Sequence, residues 1–148
     1  VIIPSPAYGS RAKLLAKALA TLDIPVKVVE RHRDMLHELV VKNLYILTTN
    51  IAGLRTGGNV GELWAQQQDT ARAVATDVIA VQMALAESHF DPEQLIESMV
   101  QAFEGDPQHQ CMGRSAPARL QRALEHAERL SIETPMLNAI AQAHATTA

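Results

Sequence analysis

Two polar residues stand out in the segment HELVVKNLYILTTN (37–50): Lys42 and, eight positions on, Asn50. Val40, Val41, Leu44, Ile46 and Leu47 make this one of the most apolar stretches of the chain. A cation and an amide placed there need a reason. Glu38, Lys42, Tyr45, Thr49 and, slightly off-line, Asn50 recur at steps of three and four, the spacing of one helical face. Facing a cleft, that stripe would hold an ammonium and an amide about 12 Å apart along the helix axis. A small anion with a reactive carbonyl suits such a pair, the ammonium at the oxygen that becomes negative and the amide at the other end. The ordinary alternative is an exposed Glu38–Lys42 pair, worth about 0.2–0.5 kcal/mol at that spacing. A lysine stem lying over apolar neighbours is equally ordinary. On the residues alone, both readings stay open.

Other candidates carry less chemistry. Cys111 is the single cysteine, so no intrachain disulfide can form, and a reducing, cytoplasmic compartment is the expectation. It lies in EGDPQHQCMGRSAP (104–117), a loop rich in Gly and Pro, with no sequence signal of a base that would make it a nucleophile. The six histidines lack metal-ligand spacing, and no zinc site is expected. GGNVGEL (57–63) follows a helical pattern rather than a strand, so Gly57 reads as a helix C-cap and Asn59 as the next N-cap. A dinucleotide fingerprint needs its three glycines directly after a strand, and this chain has none.

The elements that must position Lys42 follow from composition and pattern. The 148 residues are 47% hydrophobic and 20% charged with a net charge of −3, enough for a cored domain and without the basic footprint of a nucleic-acid binder. No apolar run reaches the roughly 18–20 residues of a membrane span. Residues 1–30 read as strand, helix, strand: Val1 to Ile3, a helix capped by Ser10 and carrying Leu14, Leu15, Ala18, Leu19 and Leu22, then IPVKVVE (24–30). Two strands make no stable sheet alone, and a chain opening inside a strand implies a piece of a longer protein. From residue 33 onward the signals are helical: about 34–54, 59–88, a helix capped by Asp91 with Pro92 at its first position, about 118–130, and one after Thr134-Pro135. The expected fold class is therefore mainly α, a multi-helix unit (31–148) preceded by a short β-α-β remnant (1–30). Its long helices suit an interdomain cleft or a homodimer interface.

This order of pieces resembles the ketopantoate reductase (2-dehydropantoate 2-reductase) family. HELVVKNLYILTTN is similar to the family's lysine-bearing helix, NVGELW (59–64) to the turn after it, and LSIETPMLNAI (130–140) to its late loop and helix. The resemblance covers essentially the whole chain. It implies the end of a Rossmann domain followed by a helical C-terminal domain of the 6-phosphogluconate dehydrogenase type. The implied activity is NADPH-dependent reduction of a small 2-oxo acid, with the cofactor held mainly by an upstream domain and no activity without it. By resemblance Lys42 is the catalytic lysine, and Asn50, Asn59 and Cys111 stand at substrate-binding positions. Ile46 replaces a second asparagine of the family, Cys111 before Met112 replaces a serine, and Ser115-Ala116 stand near the place of a glutamate. The resemblance thus carries the reaction class and leaves the substrate open. A non-catalytic helical module for dimerisation or partner binding is the alternative.

Overall fold

The computed structural model describes residues 4–147; Val1 to Ile3, read above as a strand, lie outside them. The order is β1 (Ser5–Tyr8), α1 (Ala12–Ala20), β2 (Val26–Val29), α2 (His32–Thr56), α3 (Val60–Gln66), α4 (Gln68–Ala86), α5 (Pro92–Gly105), α6 (Ala116–Leu130) and α7 (Pro135–Thr147). The described chain is mainly helical, with one small sheet in which β1 and β2 run parallel.

Strand β1 contains a proline, Pro6. Ser5 N–H donates to Pro25 O, so Ser5 points its backbone at β2 and the neighbouring Pro6 points its nitrogen at the open edge. A missing N–H on that edge costs no ladder bond. The helix that follows is entered through Arg11, which makes no side-chain cap bond, rather than through Ser10.

The spine of the molecule is α2, which packs against α4, α5, α6 and α7 and, on another side, against β1. Val40, Leu44, Ile51 and Ala52 of α2 join Leu63, Val74, Val78, Leu95, Met99, Leu137 and Ile140 in one core. The helix stops at Gly57, whose φ of 63° lies in the left-handed region, while its N–H closes on Gly53 O. Gly53 matters for a different reason. A Cβ there would stand 2.9 Å from the Cys111 backbone, so the loop before α6 lies directly on the helix.

The expected single helix over 59–88 is two helices, broken at Gln67 (φ −130°, ψ 32°). No Gly or Pro marks the break: α3 and α4 both contact α2 and α5, and of the two only α4 also reaches α6 and α7. As expected, Asp91 caps α5, its Oδ1 accepting from Glu93 N–H at 3.0 Å, with Pro92 in the first turn. Helix α6 begins two residues earlier than its pattern suggests, since Pro117 is tolerated in a first turn. Among the described residues no helix is long and apolar enough to cross a membrane.

Candidate functional site

Lys42 lines a cavity of about 530 Å³ between β1, α2 and the C-terminal end of α5. Ser5 and Pro6 form one wall, Ala102, Gly105 and Asp106 another, and the Glu38–Lys42–Tyr45 stripe of α2 the third. The lysine is exposed and makes no hydrogen bond or ion pair among the described residues. Glu38, its expected i−4 partner, instead accepts from Lys27 Nζ of β2 at 2.6 Å. That diversion leaves the Lys42 ammonium available in the cavity.

Tyr45, one turn along, is the second donor on the cavity. Its ring sits edge-on to Phe103 at 5.4 Å and 6.0 Å from the His109 ring. Burial pushes its phenol above the usual range, with the charge of Asp106 and then Cys111 adding to it, so Tyr45 keeps its O–H at neutral pH. Asp106 lies 3.9 Å from His109 Nδ1, a contact that becomes an ion pair only when the histidine is protonated. An ammonium and a phenol O–H on one wall can both donate to an oxygen that gains negative charge.

The structure separates the other expected site residues from Lys42. None of Asn50, Asn59 and Cys111 lines this cavity. The amide of Asn50 donates to Ile46 O at 2.8 Å and accepts from Gly113 N–H at 3.4 Å, which pins the loop before α6 to α2. Asn59 forms a capping box with Glu62: Asn59 Oδ1 accepts from Glu62 N–H at 2.9 Å, and Glu62 Oε2 accepts from Asn59 N–H at 3.0 Å. Cys111 is fully buried against Gly53, and burial, with the Glu62 charge adding, pushes its thiol up to about 11. A thiol so placed is closed to solvent and disfavoured as a thiolate nucleophile. It should react with an aromatic disulfide reagent at neutral pH only when the chain unfolds; labelling of the native protein at a free-thiol rate would show that the loop opens.

Residue reasoning did not place Asp106 and His109 beside this stripe. They fall in the stretch read only as a loop, and their approach to Tyr45 depends on how α5 packs on α2. Thr49, counted in the stripe, is buried and returns its hydroxyl to Tyr45 O at 2.8 Å.

A nicotinamide dinucleotide needs a glycine-rich turn opening onto a helix N-terminus. The turn between β1 and α1 offers one glycine, Gly9, and the parallel sheet has two strands. The residues present do not fit that cofactor. Among the described residues no three of His, Cys, Asp and Glu gather as a metal ion would require. Comparison of the chain with protein-family models, curated proteins and solved structures gives no match.

Proposed function

We propose that this chain is the substrate-side, helical half of a ketopantoate reductase-like, NADPH-dependent reductase of small 2-oxo acids. In this reading the helical unit is of the 6-phosphogluconate dehydrogenase C-terminal type, and β1-α1-β2 is the end of a Rossmann sheet. The carrying observation is Lys42: an unpaired ammonium on a cavity formed where the β-α-β unit meets the helices. The chain's own share of the reaction is recognition and polarisation. Lys42 takes the ketone oxygen, Tyr45 donates a second hydrogen bond, and both bonds strengthen as the oxygen becomes an alkoxide. The nicotinamide would be held by a dinucleotide-binding unit other than the residues described, and no turnover is expected without one. Leu14, Leu15, Leu22 and Ile24 are all exposed on or beside α1, which supports a unit that packs on further structure. The same exposure favours the second reading, a non-catalytic module for dimerisation or partner binding through that face.

The test is a titration of the chain with 2-oxoisovalerate, followed by NMR on the lysine ammonium and methyl resonances. Saturable shifts centred on Lys42 and Tyr45, at about millimolar affinity, are the expected result. Shifts that stay linear with concentration, together with a concentration-dependent dimer, would replace this reading by the second.

A further inference from the structure

A separate cavity, of about 410 Å³, opens between α2, α4 and α6, and it shares no lining residue with the Lys42 cavity. Helix α6 carries Arg119, Arg122 and His126 at steps of three and four, so the three lie along one face. All three line the cavity, together with Ser115, Asn43 and Gln82. Among the described residues no carboxylate lines it, although the chain as a whole carries a net charge of −3.

The hydrogen-bonding groups in it are underused. Gln82 is only 7% exposed; its Oε1 accepts from Asn43 Nδ2 at 3.3 Å, while its Nε2 has no partner among the described residues. Native structures rarely leave a buried amide N–H unmatched, and one on a cavity wall is a donor waiting for an acceptor. Among the described residues Arg119 spends only its Nε, on Ser115 Oγ at 3.0 Å. Arg122 makes no hydrogen bond or ion pair among the described residues. His126 Nδ1 lies 3.1 Å from Arg129 Nη2; a guanidinium can only donate, so the ring hydrogen sits on Nε2. The remaining wall is apolar: Leu47, Val78, Val81 and Leu85.

We infer that this cavity binds a small organic anion with an apolar tail, a medium-chain carboxylate, between the α6 arginines and the α2–α4 wall. The guanidinium groups of Arg119 and Arg122 take the carboxylate, and Gln82 Nε2 supplies a further donor. The chain of the ligand covers Leu47, Val78, Val81 and Leu85. Its volume falls in the range of small-molecule sites, roughly 300–1,000 Å³. The inference stands on residues independent of the Lys42 cavity and holds whether or not the proposed reductase role does.

The experiment is calorimetric titration of the whole chain with octanoate and with uncharged octanamide at low salt, with NMR to locate the site. Octanoate should saturate one site, shift the side-chain amides of Gln82 and Asn43, and bind at least about tenfold more tightly than octanamide. Arg122→Ala should weaken octanoate by about tenfold at an unchanged thermal midpoint, because the side chain is exposed and unpaired. Gln82→Leu should lose affinity while raising the midpoint, since it removes an unmatched buried amide, and a merely structural glutamine would not give that opposed pair. Equal binding of octanoate and octanamide would overturn the inference. So would an unchanged affinity in Arg122→Ala, shifts centred on Lys42, or no saturation up to about 10 mM octanoate.

Discussion

Lys42→Ala should weaken binding of a 2-oxo acid by about ten- to a hundredfold, the worth of one charge-assisted hydrogen bond, without lowering the thermal midpoint. The two halves of that expectation rest on different observations. The loss follows from an ammonium that lines the cavity and has no protein partner among the described residues, so its free energy is directed at whatever enters. The retained stability follows from the same fact: no ion pair is broken, and alanine is at least as good a helix former as lysine. In a complex competent for hydride transfer the effect should be larger, about 10²–10³ in rate, because an oxygen facing Lys42 would gain negative charge only as the hydride is transferred. Lys42→Arg should recover part of the binding and little of the rate, since a guanidinium cannot give up a proton to the alkoxide. A Lys42→Ala chain that unfolds, or binds as well as the parent, would mean the lysine is structural or incidental.

Local chemistry was legible in the sequence wherever partners are close along the chain. The Gly57 stop, the Asp91-Pro92 start and the Thr134-Pro135 boundary all depend on a few consecutive residues, and each stands where its pattern puts it. The Asn59 N-cap was equally readable; the structure adds its reciprocal partner, Glu62, within one turn. Lys42 was conspicuous as a cation on an apolar helix. What decides its state was not: Glu38 is drawn away by Lys27, which reaches it only once β2 has packed beside α2. The burial of Cys111 has the same origin, since it depends on a loop lying against Gly53 from 58 positions away (53 to 111). Likewise, no helix-breaking residue marks the break at Gln67, which separates a helix confined to α2, α4 and α5 from one that also reaches α6 and α7.

Asp77 is a polar side chain with a large expected effect on stability, and nothing near it in sequence announces the role. It lies on α4, only 5% exposed, and its Oδ2 accepts from Met136 N–H at 2.8 Å and Leu137 N–H at 3.0 Å. These are first-turn donors of α7, which have no partner within their own helix. A carboxylate from another helix thus caps α7 and ties it to α4, with the helix dipole favouring its charge. Asp77→Ala should cost about 3 kcal/mol, because one buried and one part-buried donor lose their acceptor at about 1–3 kcal/mol each, partly offset by the better helix propensity of alanine. Asp77→Asn keeps an oxygen in place and should cost about 1 kcal/mol. Urea unfolding of the three proteins gives the comparison; equal losses in both variants would show that the charge, not the acceptor, holds α7. The pH dependence separates the two further. Burial raises the Asp77 carboxyl above its ordinary 3.8, against the pull of the two N–H donors, so the folded state binds its proton more tightly than the unfolded state. The sign follows from linkage: this group's contribution to stability falls as pH rises from 3.8 through the folded value. Asp77→Asn lacks that titration, so the gap between wild type and Asp77→Asn should narrow as pH rises across the same window. A gap that widens instead would mean the two N–H donors and the helix dipole outweigh burial at this carboxylate.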